Sequence, residues 1–441
     1  MSSDVAPSVV PASVFDDAVR AGTRLVALRV GNAVVAFVAS VIVARALGPA
    51  GRGAFALPVA IVGIAVALAH LGVEHAHVYL ASRGTSTRAL WANATLTGGL
   101  LGGVAAAVLV AAGVFAGDSL WPRLPLVWIV VAAAQLPLLL QTLLWSGVLQ
   151  LHGRVNAAAA APLCGNAILT VVAGAMAASG ALTPFRALVL WVSVNAVTWG
   201  VLLVAGRAIG LAGGRAEVST ARASIAFGVK AYVGVTFFFL LLRVDQVLVE
   251  RIVGPVGLGR YSLAVALAEL AWLATDPYAA SVLHHQVVAD ERGDGVLGDA
   301  TARVAVLVGI AFAVVAALLS RVVIPLVYGT GFEAAVGPFI LLLPGVVALA
   351  IQRPLGPLLV KRGRMGLVAV FGAVTLGANV VLTIVLLHVL GIRGAAVASS
   401  VCYIGLAVAY VAVTRGERGW RTLVPTSVDV ARVARALRPS R

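Results

Sequence analysis

Residues Val43–Ala60 read VARALGPAGRGAFALPVA, and residues Val249–Ala266 read VERIVGPVGLGRYSLAVA. The two segments start 206 residues apart, and 9 of their 18 aligned positions are identical. Both contain a GPxGxG motif followed by an aromatic residue, with an arginine three positions before the motif. Glycine is frequent in this chain, but chance is a poor explanation for four aligned glycine and proline positions. The sequence therefore predicts two halves with the same fold.

Each GPxGxG motif is interpreted as a turn between two helices. A glycine at the end of a helix readily takes a left-handed conformation, and a proline is well suited to start the next helix. Repeated glycines also occur in phosphate-binding loops, but no strand precedes either copy, so we favour a structural role. The residues assigned to these turns are Gly48, Pro49, Gly51, Gly53, Gly254, Pro255, Gly257 and Gly259.

The composition places the chain in a membrane. Of its 441 residues 61% are hydrophobic and only 11% are charged, and the mean hydropathy is +1.04. A soluble enzyme is excluded, because soluble proteins carry about 25% charged residues. A helix needs about 20 apolar residues to cross the bilayer, and the sequence contains twelve such segments without the alternation of barrel strands. We predict an all-α polytopic membrane protein with twelve transmembrane helices, arranged as two parallel six-helix repeats (lobes) of the kind found in alternating-access transporters.

The predicted organisation has five parts. Two six-helix lobes are joined by a cytoplasmic linker and flanked by a short cytoplasmic segment and a basic tail, which is predicted to form an amphipathic helix on the inner leaflet. The ranges are 1–22 for the N-terminal segment, 23–207 for the first lobe, 208–228 for the linker, 229–413 for the second lobe and 414–441 for the tail.

The net charge of +15 is explained by topology rather than by nucleic acid. With the N-terminus inside, 21 of the 32 Lys and Arg residues fall on the cytoplasmic side, 8 fall outside and 3 lie within spans. Lysine and arginine favour the cytoplasmic side of a membrane protein. Both termini are therefore predicted to be cytoplasmic, and the protein is predicted to reside in the cytoplasmic membrane. In this count Arg45, Arg52 and Arg123 belong to the outside set.

Three stretches carry a specific resemblance, namely ARALGPAGRGAFAL, RVDQVLVERIVGPVGLGRYSLAVAL and LGIRGAAVASSV. They resemble the oligosaccharide flippases of Wzx type, which translocate O-antigen and exopolysaccharide units and belong to the multidrug/oligosaccharidyl-lipid/polysaccharide exporter superfamily. The resemblance extends over essentially the whole chain. It implies two six-helix lobes around a central cavity that opens alternately to either side. It also implies a polyprenyl-pyrophosphate-linked oligosaccharide as cargo, and polysaccharide polymerases or glycosyltransferases as partners.

Charged and aromatic residues inside the predicted spans are the candidates for substrate binding. A buried ionisable side chain costs at least ~2.5 kcal/mol in a membrane, so it normally faces a cavity or a partner. A guanidinium matches phosphate oxygens, although Arg29 could equally extend to the inner interface. The candidates are Arg29, Asn32, Arg243, Arg353 and Trp272.

Acidic and histidine residues in the spans are the candidates for coupling or for ion pairs. Asp245 lies two residues from Arg243 and so projects from a different side of the helix. It is predicted to bind a proton or cation, or to neutralise Arg29 or Arg243 across the lobe interface. The residues of this group are Asp245, Glu269, Asp276, His70 and Glu74. The histidines around Glu74 match no metal-site signature, so no metal is predicted and a solvated vestibule is favoured. Transport is expected to be driven by protons, a monovalent cation or the membrane potential, without a cofactor.

The sequence predicts a flippase that moves a polyprenyl-pyrophosphate-linked oligosaccharide from the inner to the outer leaflet. A lipid II flippase and a cation-coupled multidrug exporter of the same superfamily are the alternatives. The first usually has two further spans, and the second usually has carboxylates in its first helix, where this chain has Arg29. A membrane-embedded glycosyltransferase or polymerase is a weaker alternative, because the outside connections carry few acids or arginines. An enzymatic activity is not predicted.

Overall fold

The computed structural model describes residues 12–272 and 296–415, which are helical almost throughout and contain no strand. The helices of the first half are α1 (Ala12–Ala69), α2 (Val73–Ser82), α3 (Thr87–Leu120), α4 (Leu126–Ala134), α5 (Leu136–Leu151), α6 (Val155–Ala178) and α7 (Pro184–Ala208). Those of the second half are α8 (Val218–Leu241), α9 (Val244–Val253), α10 (Pro255–Glu269), α11 (Val296–Tyr328), α12 (Val336–Lys361), α13 (Met365–Leu390) and α14 (Ile392–Arg415).

The sequence repeat corresponds to a repeat in the backbone. Helix α1 turns at Gly48, whose φ and ψ are 63° and −178°. Gly254, between α9 and α10, has nearly the same conformation, with φ 91° and ψ −177°. Side chains other than glycine rarely adopt this region, and Pro49 and Pro255 follow directly. We call the end of the molecule that contains these two turns the outer end, following the predicted topology.

The two halves form lobes that meet along two lines of contact. In the first lobe α1 packs on α6 and α3 on α5, and in the second α12 packs on α14 and α8 on α13. Between the lobes, α1 contacts α10 and α2 contacts α8. One hydrophobic cluster continues across both lobes and includes Leu57, Ile129, Leu258 and Phe339. Three further clusters lie within single lobes, so the shared cluster is the main apolar connection between the lobes.

The all-α polytopic fold is confirmed. Ten stretches of the described residues are long and apolar enough to cross a membrane. One of them, Arg24–Ser82, has 59 residues and includes the turn at Gly48, while α10 lies outside the ten and runs toward residues that are not described. These helices are consistent with the predicted twelve crossings. Many large apolar side chains are exposed on the helix surfaces, as expected of a multi-pass membrane protein in contact with lipid.

Several helix boundaries differ from the sequence prediction. Helix α8 begins at Val218, inside the predicted linker 208–228, because no proline interrupts the chain between there and the span. Helix α1 begins at Ala12, inside the predicted N-terminal segment. The predicted second span is interrupted at Leu71 and Gly72, whose φ values are 47° and 68°. The polar residues His70 and Glu74 flank this break, but the predicted span runs through them because the residues on both sides are apolar.

Adjacent glycines in α3 provide a test of the packing in the first lobe. A Cβ atom on Gly102 would collide with the backbone of Pro137 in α5, whereas a Cβ atom on Gly103 would have no atom within 4 Å. Gly102→Ala is expected to destabilise the protein by about 1–3 kcal/mol through overpacking, and Gly103→Ala to leave stability unchanged or improved. Thermal unfolding in detergent measures both. Equal unfolding temperatures for the two variants would contradict the close approach of α3 and α5.

Candidate transport cavity

A cavity of about 300 Å³ lies between the two lobes, next to the GPxGxG turns. One wall comes from α1, α6 and α7 of the first lobe, and the other from α9 and α10 of the second. Most of the lining is apolar. The polar side chains that line it are Ser40, Arg52, Asn166, Arg243, Gln246, Ser262 and Glu269.

Arg52 is the cationic residue of this cavity that the sequence analysis missed. Its side chain is only 8% exposed, and one terminal nitrogen, Nη1, donates to Ser40 Oγ at 3.2 Å. Its Nε has no hydrogen-bond partner, and no carboxylate of residues 12–272 or 296–415 forms an ion pair with it. A buried guanidinium with a free donor is costly unless an anion completes it. Arg52 therefore gives the cavity a local excess of positive charge.

The helix periodicity after the turn at Gly48 explains why Arg52 faces inward. Helix α1 resumes at Pro49, so Arg52 belongs to the first turn of a spanning helix and not to an outside loop. Phe55, Ala56 and Val59 also line the cavity, at the three-to-four-residue spacing of one helix face. Arg52 is thus a buried residue, which a count of charges on each side of the membrane does not reveal. The apolar face that follows it was the available signal.

Arg243, a predicted binding residue, lines the cavity but is already paired. Its Nη1 lies 2.8 Å from Glu269 Oε1, and its Nη2 lies 3.4 Å from Glu269 Oε2. The two residues belong to the N-terminus of α9 and the end of α10. Both side chains are partly exposed, at 33% and 23%. The pair is neutral overall, and the carboxylate competes with any anion for the guanidinium.

Asp245 lies outside the cavity lining, in a buried polar network of the second lobe. Its carboxylate accepts hydrogen bonds from Tyr261 Oη at 2.5 Å, from Ser399 Oγ at 3.2 Å and from the backbone N–H of Gln246 at 2.7 Å. Asn379 Nδ2 lies 3.4 Å from Ser399 Oγ. The side chain is 1% exposed and does not form the interhelical ion pair that was one of its predicted roles.

Oxygen atoms without partners lie on the same helices as this network. Asn379 Oδ1 and Thr383 Oγ1, one turn apart on α13, are buried and have no hydrogen-bond partner. Asn379 is next to Ser399, so its Oδ1, the Asp245 carboxylate and Ser399 Oγ are oxygen ligands of the kind that a hard cation or a proton requires. Unsatisfied buried oxygens of this kind need a functional explanation.

The two polar residues predicted on the first helix have different surroundings. Asn32 Oδ1 accepts a hydrogen bond from Asn166 Nδ2 at 2.9 Å, and Asn166 also lines the cavity. Arg29 is exposed and is not among the lining residues. Asn32 is thus connected to the cavity wall through α6, whereas Arg29 is not.

The histidines near Glu74 are more buried than expected for a solvated vestibule. His70 and His77 are 3% and 2% exposed, and His70 Nε2 lies 3.7 Å from Glu74 Oε2. The ring of His70 packs 4.8 Å from that of Tyr232 in α8. The vestibule interpretation is therefore wrong for His70, whose ring is covered by the contact between α2 and α8. His77 instead lines a small cavity between α2 and α5, together with Glu74.

Trp272, a predicted binding residue, lies against two hydrophobic clusters. It is partly buried and packs against the cluster shared by both lobes and against a cluster of the second lobe. Arg353 belongs to α12, and its side chain lies outside the described part of the structure. Asp276 also lies outside the described residues.

The family of the chain follows from a model that covers more than half of its length. Residues 19–283 match the family of polysaccharide biosynthesis proteins. The chain belongs to this family. The matched range includes both GPxGxG turns and every polar residue that lines the cavity. No curated protein matches the chain.

Solved structures with the same fold belong to the multidrug/oligosaccharidyl-lipid/polysaccharide (MOP) superfamily. The lipid II flippase MurJ, in an inward closed conformation, has a TM-score of 0.69 at 10% identity, with 93% of this chain and 89% of that chain covered. An inward-facing multidrug resistance MATE family transporter has a TM-score of 0.62 at 15% identity, with 85% and 92% covered. A mutant of the Vibrio cholerae MATE transporter VcmN has a TM-score of 0.59 at 14% identity, with 90% and 97% covered. At these identities the comparison establishes the fold of this family member.

Proposed function

We propose that the chain is a flippase that carries a polyprenyl-pyrophosphate-linked oligosaccharide from the inner to the outer leaflet of the cytoplasmic membrane. The observation that carries this proposal is the buried guanidinium of Arg52, which has a free donor and faces a cavity between the two lobes. Membership of a polysaccharide biosynthesis family supports a glycan as cargo. Transport breaks no covalent bond, so we propose no enzymatic activity.

The pyrophosphate is proposed to bind at Arg52. Guanidinium groups bind phosphate oxygens through charge-assisted hydrogen bonds, which are strongest where water is excluded. Arg243 would join this site once Glu269 is displaced or protonated, since that carboxylate now occupies its guanidinium. The sugars would contact the apolar and aromatic wall, where Phe55 and Trp191 pack edge to face at 6.4 Å. The prenyl chain would remain in the lipid.

Alternating access is supported by the size of the cavity. Sites for drug-sized ligands occupy about 300–1,000 Å³. The observed 300 Å³ is therefore too small for a lipid-linked oligosaccharide. The lobes would have to move apart to admit the cargo and again to release it. The arrangement of two equivalent lobes suits such a rocking motion.

The driving force is proposed to act through the buried network of Asp245. Protonation of this carboxylate, or binding of a monovalent cation among Asp245, Ser399 and the free oxygens of α13, would change the charge of the second lobe. Glu269 is a second candidate, because its protonation would release Arg243 toward the cargo. The membrane potential and the substrate gradient are the alternatives that require neither group. The glycan would be passed to polymerases or glycosyltransferases at the outer face.

The proposal can be tested with purified protein in liposomes. A fluorescent undecaprenyl-pyrophosphate glycan is expected to exchange between leaflets only in vesicles that contain the protein. Lipid II and a cationic dye are tested in parallel, because they represent the lipid II flippase and the drug exporter. Exchange of lipid II alone would favour the first alternative, and export of the dye alone the second. An absence of protein-dependent exchange for every pyrophosphate lipid would refute the flippase function.

A further inference from the structure

The two GPxGxG motifs touch each other at the outer end. A Cβ atom on Gly53 would collide with the carbonyl oxygen of Pro255 and lie 2.9 Å from the backbone nitrogen of Gly259. A Cβ atom on Gly259 would collide with the carbonyl oxygen of Pro49 and lie 3.0 Å from the nitrogen of Gly53. The contact is reciprocal, as it is for any surface that meets its own copy across a two-fold axis. The last glycine of each motif is therefore required by the opposite lobe.

The contact between Gly53 and Gly259, which we call the glycine crossing, lies next to the transport cavity. Arg52 and Ser262 line the cavity, and they are one and three residues away from Gly53 and Gly259. The hydrophobic cluster shared by both lobes includes Leu57 and Leu258, next to the same crossing. The crossing thus closes the interface between the lobes beside the cavity, at the end of the molecule that carries the two turns.

Two arginines join the lobes around the crossing. Arg45, in the first lobe, donates from Nε to the carbonyl of Val327 at 2.7 Å and from Nη2 to that of Leu326 at 2.5 Å. These are carbonyls of the last turn of α11, where a cation also complements the helix dipole. Arg45 and α11 therefore tie the first lobe to the second.

The second arginine contact involves a buried acid. Arg123, in the connection between α3 and α4, lies 3.3 Å from Glu250 Oε1 and donates to the Glu250 carbonyl at 3.0 Å. Glu250 is only 2% exposed, whereas the Arg123 side chain is 50% exposed. Glu250 forms no other ion pair within the described parts of the chain. The buried Glu250 carboxylate is therefore paired with an arginine side chain that is accessible to water.

We propose that the glycine crossing and the two arginine contacts form the outer gate of the transporter. The gate is closed when Gly53 and Gly259 meet and open when the lobes separate at this end. The two glycine surfaces can separate without any change of side-chain rotamer. Water can then take the place of the carbonyl and carboxylate groups that Arg45 and Arg123 contact in the closed state. The proposal rests on alternating access but not on the identity of the cargo.

The gate is tested by the accessibility of the cavity from outside. Ser262→Cys is introduced into a protein whose Cys164 and Cys402 are replaced by serine, and right-side-out vesicles are treated with a membrane-impermeant maleimide. Adding Gly53→Ala or Gly259→Ala is expected to accelerate labelling at least about tenfold, because the added methyl group excludes the closed state. Gly63→Ala is the matched control, since its Cβ atom would make ordinary contacts at 3.8 Å.

A second variant decides the question if the alanine variants fail to reach the membrane. Arg45→Gln combined with Arg123→Gln adds no atoms to the crossing and is expected to accelerate labelling several-fold. Unchanged labelling in a correctly inserted glycine variant, or in the double glutamine variant when neither glycine variant inserts, would overturn the gate. Because labelling requires no cargo, a failed gate and a wrong cargo give different results.

Discussion

Replacing Arg52 with methionine is expected to reduce the leaflet exchange of the pyrophosphate-linked glycan at least about tenfold. A hydrogen bond to a charged group contributes about 1.5–3 kcal/mol, and a factor of ten corresponds to 1.4 kcal/mol. Arg52→Lys is expected to retain part of the activity, because an ammonium keeps the charge but not the planar fork. The measurement is the initial exchange rate in liposomes at equal protein content.

The control for this prediction is another arginine whose side chain is exposed. Arg321 lies in α11 and belongs to the predicted outside set. Arg321→Met removes the same charge from the protein and is expected to leave the exchange rate near that of the native chain. An Arg52→Met variant that flips the glycan at the native rate would exclude this guanidinium as the anion site. A loss of exchange in both variants would indicate an effect of total charge.

Two substitutions of Asp245 are expected to distinguish its contribution to stability from its proposed role in coupling. Asp245→Ala leaves the hydroxyls of Tyr261 and Ser399 without this acceptor, which costs about 1–3 kcal/mol for each buried donor. Asp245→Asn keeps an acceptor of the same shape but not the charge. We therefore expect the alanine variant to unfold at a clearly lower temperature, and the asparagine variant to stay folded but lose its response to a proton or cation gradient.

The comparison requires transport assays with an imposed gradient and thermal unfolding in detergent. Asp118→Asn is the matched control, because Asp118 is an exposed acid at the end of α3. A full gradient response in Asp245→Asn would place the coupling group elsewhere, with Glu269 as the next candidate. A native unfolding temperature in Asp245→Ala would show that the network contributes little to the second lobe.

The fold could be predicted from the sequence because its signals are local. Apolar runs of spanning length define the helices, and the GPxGxG motif identifies the repeat. The conformations of Gly48 and Gly254 are the physical counterpart of that repeat. The breaks at Leu71 and at the junction of α8 and α9 could not be predicted in the same way. Polar residues such as His70 and Arg243 stand beside these breaks, but polar residues such as Asn93 also occur inside unbroken helices.

The site was less accessible to sequence reasoning because its contacts are distant in the chain. The spacing of Arg243 and Asp245 correctly indicates that they do not pair, but it does not identify Glu269, 26 residues away, as the partner. The contact between Asp245 and Ser399 joins two of the stretches that carry the family resemblance. Arg52 was missed because counting basic residues by membrane side treats each arginine near a turn as part of a connection. Its burial depends on the apposition of two lobes.

The two lobes have the same backbone turns but different side chains at equivalent positions, and this difference makes the cavity asymmetric. At a shift of 206 residues Arg52 corresponds to Leu258, and Arg243 corresponds to Phe37. A fully symmetric cavity would accept a headgroup in two equivalent orientations, related by half a turn about the membrane normal. Arg52 lies in the first lobe and has leucine as its counterpart in the second. The anionic headgroup of the proposed cargo would therefore have one preferred orientation. Under the proposed function, the duplicated scaffold would move symmetrically while an anionic cargo stays in one defined pose.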